Sequence, residues 1–297
     1  MPNLFCFGLG YSASVYIAEL GARFDRIAGT VRTRDKAAAI AAAGIGGHKV
    51  EAFVFEGEAA PEVTAAVMDA SAILISVPPD ESGDPVLAQF AETIAGAPHL
   101  RTIVYLSTVG VYGDHAGEWV DEETPAAPVS PRSRERLEAE QAWTALGSRA
   151  AKAVAILRLS GIYGPGQNAL VQVRRRSAKR IDRPGQVFNR IHVSDIAQAI
   201  DAAFARRADG IFNVTDDEPS AQGVPVVMAA ELLGVTPPPE VPFAEAAKAM
   251  TPMALSFYGE SKRVRNAKLK RELGWSPRFP TYREALSPLA EGAGTSK

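Results

Sequence analysis

Short, mostly apolar runs alternate with longer stretches of mixed polarity over the first two-thirds of the chain. The apolar runs fall at residues 3–7, 26–31, 49–55, 72–77, 102–106 and 153–159. Between them lie segments rich in Ala, Leu, Glu and Arg, such as 12–20, 34–43 and 132–146. Strands without a polar face, each followed by a helix, predict an α/β chain with a doubly wound parallel sheet of Rossmann type, covered on both faces. Ligands of such a sheet sit at the carboxyl ends of its strands.

The regularity fades after Gly164. A basic stretch follows, then a run at 187–191, a helix at 195–206 and a strand at 211–214. The remainder is Pro-rich (Pro237, Pro238, Pro239, Pro242). One of its helices has clear punctuation: Asn266 can cap it, Leu269 and Leu273 share a face, and Gly274 ends it. The expected division is a dinucleotide-binding domain over 1–165 and a smaller, mostly substrate-side lobe over 166–297. Segments near 187–214 return to the sheet, and 292–297 read as a frayed tail.

Composition narrows the function. With 297 residues the chain can bury roughly 75% of its unfolded surface, so its core needs no metal or cross-link. Its single cysteine, Cys6, lies inside an apolar run and reads as a small buried hydrophobe in a reducing compartment. A net charge of −2 argues against a nucleic-acid partner. No apolar stretch reaches the ~20 residues of a membrane span, and no basic residue precedes the first apolar run as in a secretory signal. His48, His99, His115 and His192 are scattered, so no metal site is expected. A cytoplasmic location follows.

The sharpest chemistry stands directly after the first strand. Gly8, Gly10 and Ala13 form G-x-G-x-x-A within Gly8-Leu9-Gly10-Tyr11-Ser12-Ala13, at the start of a helix. Gly8 permits the tight turn, Gly10 lets a pyrophosphate approach bare backbone, and Ala13 lets helix pack on strand. The helix N-terminus then offers free N–H groups to the phosphate. The second strand runs out into Arg32, Thr33 and Arg34, with no carboxylate before Asp35. A guanidinium at Arg32 suits a 2′-phosphate, which favours NADP, with NAD as the alternative.

Four further segments resemble the extended short-chain dehydrogenase/reductase family, in its NAD-dependent epimerase/dehydratase branch. They are Tyr105-Leu106-Ser107-Thr108-Val109-Gly110-Val111-Tyr112-Gly113, Leu157 to Gly166, Ile191 to Ala197, and Lys268 to Trp275. The resemblance implies cofactor contacts at Tyr11, Ser12, Ser76, Val77, Ser107, Gly161 and Ile162. It also implies a Ser/Thr at the end of the fifth strand, here Thr108, to orient the reacting oxygen. The family's Tyr-x-x-x-Lys pair would fall on Arg132 and Arg136. No tyrosine lies between Tyr112 and Tyr163, and the lone lysine there is Lys152. Arginine cannot act as the base, because its pKa exceeds ~12, although Arg136 can still hold the ribose.

The proton therefore needs another carrier. Tyr112 is the nearest phenol to Thr108, and it reads either as a catalyst or as a residue that shapes the loop. His115 and Tyr163 have the same two readings; His192 and Asp195 read as a strand end and a helix cap. The run Arg174, Arg175, Arg176, Lys179, Arg180 and Arg183 either binds an anionic substrate such as a sugar nucleotide or is a solvated face balanced by Asp121, Glu122 and Glu123. The expectation is an NADP-binding oxidoreductase or epimerase-like enzyme with a small hydroxyl- or carbonyl-bearing substrate, and a homodimer is its candidate assembly. The rival is a non-catalytic NADP-binding redox sensor.

Overall fold

The computed structural model describes residues 2–292, so residues 293–297 of the expected tail lie outside it. Strands and helices are numbered along the chain. Seven strands form one parallel sheet: β1 (Asn3–Phe7), β2 (Arg26–Val31), β3 (Glu51–Val54), β4 (Ala72–Ile75), β5 (Thr102–Thr108), β7 (Ala153–Leu159) and β11 (Gly210–Val214). Their order is β11-β7-β5-β4-β1-β2-β3. Six lesser strands pair two by two outside it: β6 (Trp119–Val120) with β13 (Arg263–Val264), β8 (Gly161–Tyr163) with β10 (Arg190–His192), and β9 (Arg180–Asp182) with β12 (Glu240–Pro242).

The sheet is Rossmann-type and doubly wound. The chain leaves β1 towards β2 and β3, then returns to the other side of β1 for β4. The strand order therefore reverses between β1 and β4, where an open α/β sheet has its ligand crevice. One core packs Leu4, Cys6, Val104, Leu106 and Leu157 against α1 (Tyr11–Leu20) and α7 (Val193–Arg206). The opposite core packs Phe5, Phe7, Ile73, Tyr105 and Ile156 against α3 (Pro61–Met68), α4 (Pro85–Gly96) and α5 (Pro131–Ala150). Strands buried on both faces explain why the sequence shows runs and not alternation.

Several boundaries move for physical reasons. β5 runs two residues past the expected end, because Ser107 and Thr108 still pair with Arg158 and Leu159 of β7. β4 stops at Ile75, which leaves Ser76 and Val77 in the loop at its carboxyl end. The strand expected at 187–191 forms at Arg190–His192, where it pairs with β8. Asn266 stands at the start of α11 (Ala267–Leu273) without capping it. Its amide donates instead to Thr215 O at 2.8 Å and Asp217 Oδ1 at 2.7 Å.

Beyond Gly164, β11, α7 and α11 pack on the main sheet. A separate small core joins Tyr163, α6 (Ala169–Arg174), α8 (Val224–Leu232) and α12 (Tyr282–Gly292) through Leu170, Ala229, Tyr282 and Leu286. No helix among the described residues is long and apolar enough to cross a membrane.

One ion pair is buried on both sides. Arg158 of β7 donates to Glu140 of α5 at 2.7 Å, with side-chain exposures of 4% and 3%. Ser107 of β5 also donates to Glu140. Replacing Glu140 with Gln leaves the Arg158 guanidinium buried without its counter-charge. Glu140→Gln is expected to cost about 3 kcal/mol in urea unfolding, whereas Glu140→Leu combined with Arg158→Met should cost less than the two single changes together. A loss below about 1 kcal/mol for Glu140→Gln would show that the pair does not hold α5 to the sheet.

Candidate active site

The phosphate turn takes its shape from its own backbone needs. Gly8 has φ +91°, a conformation that disfavours any side chain. Its N–H donates to Thr30 Oγ1 at 3.0 Å, and Leu9 N–H donates to Thr30 O at 2.8 Å. Ser76 Oγ donates to Gly8 O at 3.1 Å. Val77 also lies close, with its Cγ2 3.1 Å from where a Cβ on Gly8 would stand. Ser76 and Val77 thus back the turn from the end of β4.

Gly10 begins α1 with φ −89° and no side-chain cap. α2 (Arg34–Ala43), α4 and α5 are capped by Thr33, Asp84 and Ser130. The amides of Tyr11, Ser12 and Ala13 precede the first helical bond, Ser14 N–H to Gly10 O at 2.9 Å, and no side chain caps them. A Cβ on Gly10 would meet only Ser76 Oγ, at 3.8 Å. The arrangement fits an anion: uncapped N–H groups, an open backbone face and a helix dipole. Ser12 and Ala13 are themselves buried, so they offer main chain and not side chain.

Cations gather near the turn. Lys36 of α2 donates its Nζ to Leu9 O at 3.0 Å. Arg32 and Arg34 are exposed just past β2. Lys36 was not legible as a site residue, because its reach to Leu9 requires α2 to fold back over the turn. On the other side of the crevice, the Tyr11 hydroxyl donates to Pro165 O at 2.8 Å, which links the turn to the loop after β8.

A cavity of about 340 Å³ opens at the ends of β5 and β7, beside the start of α5. Thr108, Arg132, Ser133, Arg136, Gly161, Glu260 and Lys262 all face it. Thr108 Oγ1 accepts the Gly110 N–H at 3.1 Å, so its own proton is free to be donated. Arg136 is half-buried and donates through one nitrogen to Leu106 O at 2.9 Å and the Tyr105 hydroxyl at 3.1 Å. Arg132 is exposed. Lys262 is buried and donates to Gly113 O and Glu260 Oε2, each at 2.7 Å. Neither Glu260 nor Lys262 carried a sequence signal, because more than a hundred residues separate them from Thr108.

Two expectations are corrected. Tyr112 is fully buried; its hydroxyl donates to Asn213 Oδ1 at 2.8 Å, and the Arg158 guanidinium stacks on its ring at 4.7 Å. Burial raises its pKa, so it shapes the loop and is no proton carrier in the cavity. Ser107 is also buried, and its hydroxyl is engaged by Glu140 instead of facing the crevice.

The other candidates separate. His115 Nε2 lies 3.1 Å from Tyr112 O. Tyr163 is buried in the small core, and burial raises its pKa. Ile162 is partly exposed and, with Gly161, lines a larger cavity of about 550 Å³ that also reaches Arg175 and Arg190. Arg180 meets Glu240 at 3.6 Å, and Arg183 stacks on Phe243 at 4.4 Å. Asp121 and Glu122 instead bind Thr124 and the Asn213 N–H, so they do not balance the basic run. Asp195 accepts the N–H groups of Arg278 and Phe279 and does not cap α7. Burial raises its pKa to about 6.

The comparisons agree with this layout. The NAD dependent epimerase/dehydratase family matches residues 87–215. A solved structure of a functionally unknown conserved protein from Silicibacter pomeroyi is 43% identical; the match covers 99% of this chain and 100% of that one, with a TM-score of 0.86. The dTDP-glucose 4,6-dehydratase of Bacillus anthracis, in complex with NAD, is 19% identical over 100% of this chain and 98% of its own, with a TM-score of 0.77. A 3-diazoavenalumate denitrifying reductase from a Streptomyces species is 29% identical over 137 residues, which span 44% of this chain and 45% of that relative.

His192 ends β10 and caps α7, its Nδ1 accepting the Ser194 N–H at 3.2 Å. Burial, helped by Arg278, lowers its pKa from 6.5 to about 4. The unfolded chain therefore takes up the proton first, and stability is lost as pH falls from about 6.5 to about 4. His192→Asn keeps a capping oxygen but does not titrate. The stability of the native protein relative to this variant should drop by up to about 3 kcal/mol between pH 7 and pH 4. Parallel denaturation profiles for the two proteins would rule out this role.

Proposed function

We propose that this chain, whose residues 87–215 match the NAD dependent epimerase/dehydratase family, is an NADP-dependent oxidoreductase of atypical short-chain type. The observation that carries the reading is the shared crevice. The uncapped start of α1 follows the carboxyl end of β1, and the cavity at Thr108 lies at the carboxyl ends of β5 and β7, with β4 between them.

Tyr11, Ser12 and Ala13 would bind the pyrophosphate through their amides, at the open face of Gly10. Arg32, with Lys36 and Arg34 beside it, would meet a 2′-phosphate. Ser76, Val77, Gly161 and Ile162 would line the path towards Thr108, and Arg136 the ribose edge. A nicotinamide dinucleotide bound here supplies or accepts a hydride. Thr108 would donate a hydrogen bond to the reacting oxygen. α5 holds no tyrosine and no lysine, so Glu260, paired with Lys262, would exchange the proton. The lobe built from α6, α8 and α12 would hold the rest of the substrate. A sugar nucleotide, the kind of compound that names the Bacillus anthracis neighbour, fits the larger cavity's size and its arginines. The missing Tyr and Lys favour the second reading, a redox sensor that binds the dinucleotide without turnover.

Gly10→Val should fold, because φ −89° suits any residue and its Cβ meets nothing closer than 3.8 Å. It should nonetheless lose NADPH binding in calorimetry, and undiminished affinity would remove the turn from the site. Arg32→Asp should weaken NADPH about ten- to hundredfold and NADH much less. Equal losses would show that Arg32 does not read the 2′-phosphate. Glu260→Gln should keep NADPH affinity and slow NADPH oxidation across a panel of ketones and sugar nucleotides about 10²-fold. No oxidation by the native protein with any of them, despite tight NADPH binding, would favour the sensor.

A further inference from the structure

The cavity at Thr108 has an unusual charge balance. Three cations and one carboxylate face it: Arg132, Arg136, Lys262 and Glu260. Lys262 and Glu260 neutralise each other at 2.7 Å, with side-chain exposures of 7% and 12%. Among the described residues, neither Arg132 nor Arg136 has a carboxylate within 4 Å. The nearby acid on α4's side, Asp84, is buried, and its oxygens are engaged by Trp143 Nε1 and the amides of Val86 and Leu87. Glu140, one turn along α5, is occupied by Arg158.

Arg136 is also held in place. Its two bonds, to Leu106 O and the Tyr105 hydroxyl, both use Nη1, and its guanidinium lies 5.5 Å from the Tyr105 ring centroid. Among the described residues its Nε and Nη2 have no hydrogen-bond acceptor, and Arg136 lines the cavity. Arg132 lies one helical turn earlier on the same face of α5, with Ser130 and Ser133 beside it. Two guanidiniums four residues apart on one helix, with the Ser133 hydroxyl between them and no carboxylate within 4 Å, carry the donors that an oxyanion clamp needs.

We infer that the cavity takes a substrate whose reacting end carries its own carboxylate or phosphate, clamped by Arg132 and Arg136 next to Thr108. This rests on the reading of the crevice as a redox site and deepens it. The recognised group is an oxyanion at the reaction centre itself. It is distinct from any phosphate held in the larger cavity by Arg175 or Arg190. Thr108 and the Glu260–Lys262 pair then act on the hydroxyl or carbonyl next to that oxyanion.

The test titrates malonate and inorganic phosphate into the NADPH-saturated protein, and follows binding by calorimetry and by the thermal midpoint. One site per chain is expected, weakened at least tenfold by Arg132→Gln and by Arg136→Gln. Arg134→Gln is the control for bulk charge. Arg134 lies on the same helix, is exposed, and donates to Val129 O outside the cavity. Circular dichroism and the thermal midpoint without ligand report whether each variant folds. Tighter malonate identifies a carboxylate substrate, and tighter phosphate a phosphorylated one. No binding by the native protein at 50-fold above about 1 mM, or an equal loss in Arg134→Gln, overturns the clamp. The same titration in Gly10→Val, run without NADPH, separates the two claims. Loss of NADPH with anion binding intact would leave the clamp standing, whereas a native protein that binds no dinucleotide would overturn the redox reading alone.

Discussion

The Glu140 carboxylate is the fixed point of the site. It accepts from Ser107 of β5 and from Arg158 of β7, so one buried group on α5 is tied to two neighbouring strands. Arg158 in turn stacks on Tyr112, whose hydroxyl reaches Asn213 of β11. The Asn213 amide donates to Arg265 O at 3.1 Å. This chain of contacts crosses from α5 through three sheet strands to the C-terminal segment. Buried pairs of this kind often add little net stability, because desolvation offsets attraction. Their effect here is geometric. An apolar replacement would let α5 slide along the sheet, whereas a charged pair with three donors on one carboxylate permits one register.

That register sets what the cavity presents. Arg136 is one turn before Glu140 on α5, and Arg132 one turn before that. With Glu140 pinned beneath β5 and β7, both guanidiniums are delivered to the carboxyl end of the sheet. Arg136 then reaches Leu106 O, the carbonyl two residues before Thr108. The opposite wall is held separately. Ser261 N–H donates to Asp114 Oδ1 at 2.7 Å, and Asn189 joins Lys262 O at 2.9 Å and Val264 N at 2.9 Å. The Glu260–Lys262 pair is thus braced by β13's approach to the loop after β5, and not by the helix that carries the arginines.

Much of this was legible in the chain, and the rest fails for an identifiable reason. Strands β1, β2 and β7 coincide with their apolar runs, because residues buried on both faces leave no other pattern. The phosphate turn was legible because its requirements are local: a φ of +91° at Gly8 and an open face at Gly10. The polar framework was not. Tyr112 looked available for catalysis because nothing in its neighbourhood announces Asn213, a hundred residues away. Ser107 looked like a cofactor contact because Glu140 cannot be placed beneath it without the helix register. Acids at 121–123 seemed to balance the basic run, yet Asp121 accepts from Thr124 and Glu122 from the Asn213 N–H. Long-range polar pairing is set by tertiary geometry, which hydrophobic periodicity does not encode.

The two cavities share Gly161, Phe188 and Asn189 in their walls, so they adjoin each other. Adjoining cavities would suit an extended substrate, with one end near Arg175 and Arg190 and the other at Arg132 and Arg136. Both ends are cationic and the middle is lined by neutral groups. Such a distribution recruits an anion electrostatically and then fixes its direction, because a bidentate fork at the reacting end discriminates planar or tetrahedral oxyanions where a lysine would act as a point charge. A tyrosine at position 132 would return proton-transfer chemistry to α5 but remove half of the fork. Under the proposed clamp, a guanidinium at position 132 would mark a change in what the site holds and not a simple loss. Catalysis would pass to the opposite wall, where Glu260 and Lys262 already stand.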